Sequence, residues 1–427
     1  MIRAVFVMAL LAAPVTSARD VTFESALADF FAAPEISDRE KAARPLLRAD
    51  PEFAVIFARL WTGRVYRTDV ETGRLDWSRK GNGGRRHQYV VLVPEDYDPT
   101  KRYRVCFYLH GGVSRPDPWR KGGEWWRRFD RFDGVDQISV FPSSWRDSLW
   151  WESSQIENLA AILDRVKTTY NVDEDRVFLY GVSDGGTGAY YHAMKAPTIW
   201  AAFFPFIGHP SVLANLATGV EGEMFESNLA GKALYIVNGE TDRLYPAACV
   251  LPYVEVLRQE GATIVFRARP GGHSTRWWNG ESQRMEAFMN EHPRDPLPDR
   301  LVWATEDVRH FGRVHWLLVD ALADGRPAGG LFTHRAPFGQ VVVERDGNVF
   351  HVTAQGVERH RLLLSPDVVD FAEPVTVVTN GAMSFEEPLE ASVETLLRWA
   401  ARDNDRTLLF GAELTITIDD EQGEVNP

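Results

Sequence analysis

A chain of 427 residues with 44% hydrophobic and 25% charged residues has the composition of a soluble globular protein, and its length calls for two or three domains. A formal net charge of -13 argues against nucleic acid or an anionic membrane as the main partner, since both would repel it. The first eighteen residues follow the pattern of a secretory signal. Arg3 precedes an apolar run over residues 4–13, and Thr16-Ser17-Ala18 offers small residues for cleavage. That run is too short to span a bilayer as a mature helix, and no later stretch is long and apolar enough. The expectation is a secreted or periplasmic protein with no membrane span. Only Cys106 and Cys249 are present. Both are expected to be free, buried thiols, although spacing leaves a single disulfide open.

Residues 20–62 read as helical. Phe23, Leu27 and Phe30-Phe31 recur at helical spacing, and Phe53, Ile56, Phe57 and Leu60 do so after Pro51. This segment is expected to form a small cap or arm on the main domain. Residues 80–86, rich in glycine and basic residues, read as a flexible junction.

From residue 89 short apolar strands alternate with helical patterns. Strands are expected at 89–93, 103–109, 138–141, 176–180, 201–207, 233–237 and 263–268, and helices near 156–170, 187–195, 254–260 and 280–290. That alternation predicts an α/β domain with a mostly parallel sheet covered on both faces. Prolines at 293, 296 and 298 then mark a linker. Beyond it, a strand near 314–319, hairpin signals at Asp346-Gly347 and Asn380-Gly381, a helix at 392–401 and a last alternating strand describe a β-rich domain. The chain therefore divides into a signal peptide (1–18), an N-terminal helical segment (19–86), a catalytic domain (87–293) and a β-rich accessory domain (300–427).

The chemistry gathers at the C-terminal ends of the strands. The strand at 176–180 runs into Gly181-Val182-Ser183-Asp184-Gly185 and then a helix, the pattern of a nucleophile elbow. A Cβ at position 181 or 185 would collide with the neighbouring strand or helix. An acyl-transfer serine also needs a base, a group to orient that base, and donors for the oxyanion. His273, in Pro270-Gly271-Gly272-His273 after the strand at 263–268, is the candidate base. Asp242, in the loop after the strand at 233–237, is the candidate acid, with Glu240 in reserve. Leu109-His110-Gly111-Gly112 follows another strand and supplies an oxyanion loop. One donor is expected from the N–H of Asp184 and the other from Gly112 or Val113, with His110 shaping the loop.

Tryptophans cluster at 119, 125, 126, 145, 150 and 151, and Trp277 and Trp278 follow the histidine. Flat apolar faces beside a serine suit an aromatic acyl group or a sugar ring, and Trp150, Trp151 and Trp277 are the candidate substrate contacts. The same rings serve equally well as the core of a lid. His310 and His315 fit neither the helix nor the strand period for a shared face, and no other spacing indicates a metal site.

Taken together, Tyr108-Leu109-His110-Gly111-Gly112, Gly181-Val182-Ser183-Asp184-Gly185-Gly186, Gly239-Glu240-Thr241-Asp242 and Gly271-Gly272-His273 resemble the α/β-hydrolase superfamily. With Val93-Pro94-Glu95-Asp96-Tyr97-Asp98-Pro99 upstream, residues 88–292 resemble secreted esterases of the polyhydroxybutyrate-depolymerase and feruloyl-esterase type. Those esterases often carry alanine where this chain has Asp184. The C-terminal part is similar to accessory β domains appended to such hydrolases. The resemblance implies a secreted, cofactor-free serine hydrolase acting on a small or polymeric ester, aromatic or carbohydrate-linked among the options. A peptidase of the prolyl-oligopeptidase type and a non-catalytic carbohydrate-binding protein are the rival readings. Since every candidate catalytic residue precedes Pro293, a chain ending near Arg294 is expected to keep its chemistry.

Overall fold

Unbroken apolar runs form the central strands, because a strand covered on both faces has no polar side to present. In the computed structural model, residues 18–81, 84–121, 124–132, 135–323, 331–332 and 336–418 are described. Most of the expected signal peptide, and residues 82–83 of the expected junction, lie outside the described residues. Three helices, α1 (Ala18–Ala32), α2 (Ile36–Ala49) and α3 (Phe53–Thr62), precede an eight-stranded sheet. Its strands are β1 (Gly73–Lys80), β2 (Arg86–Val93), β3 (Tyr103–Leu109), β4 (Gln137–Pro142), β5 (Val172–Val182), β6 (Ala202–Phe206), β7 (Ala233–Gly239) and β8 (Thr263–Arg269). Their spatial order is β1-β2-β4-β3-β5-β6-β7-β8. β2 runs antiparallel to β1 and β4, while β4, β3, β5, β6, β7 and β8 run parallel to one another. This is the α/β-hydrolase fold.

Alternate residues of each strand serve different faces. Val105, Phe107 and Leu109 of β3 face the core shared with α4 (Ser153–Thr169), α5 (Asp184–Lys195) and α6 (Ala247–Gln259). Cys106 and Tyr108 face the core shared with α7 (Trp278–Glu291). On this second face an aromatic row crosses the sheet, with Tyr108 5.1 Å from Tyr180 and Tyr180 4.2 Å from Phe204 between ring centroids. The chain moves from β3 to β4 on one side and then to β5 on the other. The strand order therefore reverses at β3–β5, the place where ligand crevices open in α/β sheets.

Two features differ from the sequence reading of this half. β1 was not anticipated; it pairs with β2 as far as Lys80 opposite Arg86, and the Gly81 N–H donates to the Arg85 carbonyl at 2.8 Å, where a flexible junction was expected. This edge strand carries only Leu75 and Trp77 as apolar residues among polar and charged neighbours, too short an alternation to betray it. Cys106 is buried, and burial pushes its thiol up to about 12, but Cys249 is exposed on α6; both are free.

The C-terminal part has its own core between two sheets. One runs β16 (Ala382–Glu387), β15 (Val375–Thr379), β13 (Val349–Gln355), β12 (Gly339–Asp346), β9 (Arg300–Thr305); the other runs β10 (Arg313–Val314), β11 (Leu317–Leu322), β14 (Val357–Leu364), β17 (Ala412–Thr417). The expected strand at 314–319 is split into β10 and β11 by His315, which turns the chain at φ 46°. A one-turn helix, α8 (Val308–Phe311), follows β9, and α9 (Val393–Asp403) precedes β17.

This part is closely tied to the rest of the chain, which bears on the expectation for a truncated chain. α9 places Trp399 in the sandwich core, while Leu396, Leu397, Ala400 and Ala401 form a core with Leu27, Phe30, Leu46, Ile56 and Leu60 of α1–α3. Polar ties are as close. Buried Arg406 grips Glu174 of β5 at 2.7 Å, and buried Arg294 binds Asp175 at 2.8 Å and Asp405 at 2.9 Å. Lys195, at the end of α5, pairs with Glu306 at 2.7 Å, both side chains buried. Removing one member of such a buried pair costs about 3–5 kcal/mol, because the other charge stays buried alone. A chain ending at Arg294 is therefore expected to misfold or aggregate. A soluble, folded truncation by circular dichroism and gel filtration, with full turnover of p-nitrophenyl acetate, would show that the domains are independent.

Several histidines are buried in neutral form. Burial pushes His360 down to about 4 and His192 down to about 3, and among the described residues neither His360 ring nitrogen has a hydrogen-bond partner. Unfolding returns both to an ordinary pKa near 6.5, so the unfolded chain binds protons that the folded chain refuses. Stability should fall as pH drops below about 6.5, by up to about 1.4 kcal/mol per unit for each histidine, levelling near their folded values. His360→Leu should flatten that slope. Urea midpoints at pH 7.5 and 5 measure it, and an unchanged slope would refute the assignment.

Candidate active site

The site is built where β3, β5, β7 and β8 end. Ser183 lies between β5 and α5 with φ 60° and ψ -118°, a strained conformation for a residue with a side chain. Its N–H donates to the Phe206 carbonyl at 2.9 Å, and its carbonyl accepts the Thr187 N–H at 3.0 Å. Glycines permit the crossing. A Cβ on Gly181 would stand 1.9 Å from the Gly185 carbonyl oxygen, and one on Gly185 would stand 2.0 Å from that of Leu109. No side chain fits at either position.

The Ser183 hydroxyl donates to His273 Nε2 at 2.8 Å, and His273 Nδ1–H donates to Asp242 Oδ2 at 2.8 Å. His273 reaches over the sheet edge on the β8–α7 loop, and Asp242 sits just past β7. Burial alone would push the Asp242 carboxyl up. The N–H groups of Leu244, at 2.8 Å, and Tyr245, at 3.1 Å, together with His273, outweigh that and hold it below the usual range. Asp242 is thus an anion at neutral pH, able to fix the imidazole tautomer and stabilise an imidazolium. Glu240 is exposed two residues away, and its N–H is turned to the Arg269 carbonyl.

The loop after β3 lies over the serine. A Cβ on Gly111 would come within 2.8 Å of Ser183 Cβ. His110 shapes this loop: its Nδ1–H donates to the Gly111 carbonyl at 2.9 Å, and its Nε2 accepts the Ser144 N–H at 3.1 Å. Burial pushes His110 down to about 4, so it holds one neutral tautomer. The Val113 N–H is already engaged, donating to Asp184 Oδ2 at 2.9 Å. Of the two expected alternatives for the second oxyanion donor, Val113 thus has its N–H turned to a side chain. Among the described residues, neither the Gly112 nor the Asp184 N–H has a protein acceptor.

The three tryptophans read as substrate contacts sit in the core instead. Trp150 is fully buried and donates its indole N–H to the His110 carbonyl at 2.8 Å; buried Trp151 donates to the Thr218 carbonyl at 2.9 Å. Trp277 is buried with its ring centroid 5.0 Å from that of Phe206. Their large apolar area is taken up by packing, and Trp150 alone of the three is hydrogen-bonded to the loop beside Ser183. Two residues that the sequence reading passed over stand at the site. Tyr245 lies against the His273 ring, 5.9 Å between centroids, and Leu244 is 63% exposed beside it. Asp242 followed two and three residues on by the N–H groups it captures is an Asx turn, a local signal that was legible.

Among the described residues no group of three or more His, Cys, Asp or Glu side chains is placed to hold a metal ion, and no helix is long and apolar enough to cross a membrane. No family model matches the chain. It is similar to dipeptidyl-peptidase 5 of Porphyromonas gingivalis, 23% identical over 272 residues, which take in 62% of this chain and only 36% of that protein's length. Similar solved structures include a thermostable esterase, at TM-score 0.42 and 20% identity over 52% of this chain and 63% of that one. A ferulic acid esterase gives 0.41 and 17% over 52% and 99%. Dipeptidyl peptidase 4 of P. gingivalis gives 0.40 and 14% over 52% and 36%. The likeness to these solved structures says nothing of substrate.

The two carboxylates near His273 make different demands. Asp242→Asn should lower turnover about ten-thousandfold by favouring the wrong imidazole tautomer. Glu240→Gln should change it less than about threefold, as an exposed substitution does. Steady-state kinetics on a p-nitrophenyl ester compares them, and the reverse ranking would move the acid to Glu240.

Proposed function

We propose that the chain is a serine hydrolase that cleaves carboxylic esters through an acyl-enzyme. The observation that carries this reading is the unbroken relay from the strained Ser183 hydroxyl through His273 to Asp242, with 2.8 Å at each step. Ser183 Oγ attacks the carbonyl carbon while His273 Nε2 takes its proton. The carbonyl oxygen becomes an oxyanion facing the N–H groups of Asp184 and Gly112. His273 passes the proton to the leaving alcohol, leaving the acyl group on Ser183. Water then repeats the sequence and releases the acid. Neither half-reaction calls on a cofactor. Exposed Leu244, next to Tyr245 at the His273 ring, offers apolar surface that suits an uncharged acyl or aryl group. Export by way of residues 1–18 is part of the proposal and rests on their signal pattern.

A peptidase is the second reading, favoured by the likeness to dipeptidyl-peptidase 5. A panel of p-nitrophenyl esters and dipeptidyl p-nitroanilides separates the two, and faster cleavage of the anilides would reverse the order. Ser183→Ala should reduce turnover on the order of a millionfold and abolish labelling by a fluorophosphonate probe while the fold persists. Near-normal turnover by that variant would end the serine-hydrolase reading. The mass of the exported chain tells whether residues 1–18 have been removed.

A further inference from the structure

Asp184 stands next to the nucleophile and carries a carboxylate into a site where negative charge is expected to develop. An ionised group there opposes the oxyanion unless it does something in return. Its contact supplies the reason. Asp184 Oδ2 accepts the Val113 N–H at 2.9 Å across 71 positions of sequence, joining the first residue of α5 to the far end of the loop after β3. The near end of that loop is fastened separately, where the Trp150 indole N–H donates to the His110 carbonyl at 2.8 Å and the Ser144 N–H donates to His110 Nε2 at 3.1 Å. Between the two fastenings lie Gly111, pressed on Ser183, and Gly112, which takes φ 73°.

We infer that the Asp184 side chain is a positioning residue, which sets the direction of the Gly112 N–H and thereby completes the oxyanion hole. This rests on the serine-hydrolase reading and extends it. One residue then serves both donors, giving its own N–H as the first and holding the second through its side chain. Glycine flanking the donor makes the fastening necessary. With Gly111 and Gly112 unhindered by side chains, the loop has many orientations to choose from, and an untethered Gly112 N–H would point at the oxyanion only part of the time. The carboxylate is a strong acceptor for a backbone N–H, and the start of α5 favours a negative charge. The inference needs the acceptor oxygen in its place and does not need the charge.

Three substitutions separate those properties, each measured on p-nitrophenyl acetate and with an aryl trifluoromethyl ketone, whose hemiketal oxyanion calls on the same donors. Asp184→Asn keeps an acceptor oxygen at the same reach and removes the charge; its kcat should stay within about threefold of wild type. Asp184→Ala removes the acceptor and should lower kcat about 10- to 100-fold, up to what loss of an oxyanion donor costs, with KM changed less than about threefold. The ketone should bind more weakly by the same factor as kcat falls. Asp184→Glu keeps the charge and displaces the oxygen, so it should resemble the alanine variant; it also decides the matter if the alanine variant fails to fold. Wild-type kcat in the Ala or Glu variant would overturn the inference. So would an Asn variant as impaired as Ala, since charge rather than the acceptor would then matter. Fluorophosphonate labelling of the wild type keeps the two levels apart. A labelled, active wild type with an equally active alanine variant sinks this inference alone, whereas an unlabelled, inactive wild type sinks the serine-hydrolase reading with it.

Discussion

A close backbone approach at the site brings α5 against the end of β3, and much else depends on it. Gly185 and Leu109 meet where no side chain could be accommodated between them. The approach puts the start of a buried helix directly behind the oxyanion loop and forces the chain at Ser183 into positive φ. A conformation of that kind costs about 1–3 kcal/mol and persists only where its surroundings over-determine it. Here they do. β6 receives the Ser183 N–H, α5 receives its carbonyl through Thr187, and every α5 residue from Gly185 to Lys195 is buried. Strain at the nucleophile is thus offset by the packing of a whole helix.

That helix is in turn held from outside the hydrolase domain. Its last residue, Lys195, is buried against Glu306 of the β9–α8 connection, and Asn228 ties the Met194 carbonyl to Ala304 of β9. Glu174 and Asp175 of β5 are held by Arg406 and Arg294. β5 and α5 flank Ser183, so the C-terminal domain grips both elements that place Ser183 while contributing none of the Ser183–His273–Asp242 relay. The three N-terminal helices reinforce the arrangement through α9, and Arg39 joins α2 to Asp164 of α4 and to the Ala401 carbonyl of α9. A buried charge that is paired on both sides leaves little freedom for one domain to shift on another.

Electrostatics within the site divides the carboxylates by what surrounds them. Asp242 is buried but receives two backbone N–H groups and the imidazole, so it remains charged and directs His273. Asp184 is spent on the Val113 N–H, which makes it part of the loop's anchorage. Tyr245, between them, has its hydroxyl pushed up by burial and then by the Asp184 and Asp242 charges, so it stays protonated beside the histidine.

Local pattern determined much of this. Apolar runs bounded by glycine-rich loops predicted β2 to β8, and the elbow, the Gly-Gly-His loop and the acidic loop after β7 singled out Ser183, His273 and Asp242, because strand ends and turns follow from residues close in sequence. What failed was whatever depends on partners far away. β1 has the composition of a solvated loop and is a strand only because β2 lies beside it. Trp150, Trp151 and Trp277 have the same side chains whether they face a ligand or a core, and the core had room for them. The linker prolines marked a boundary but could not show that Arg294, Arg406 and Lys195 would be neutralised across it. The engagement of the Val113 N–H was likewise decided by tertiary structure, since the Asp184 oxygen that takes it lies 71 positions away, and no local rule reaches that far.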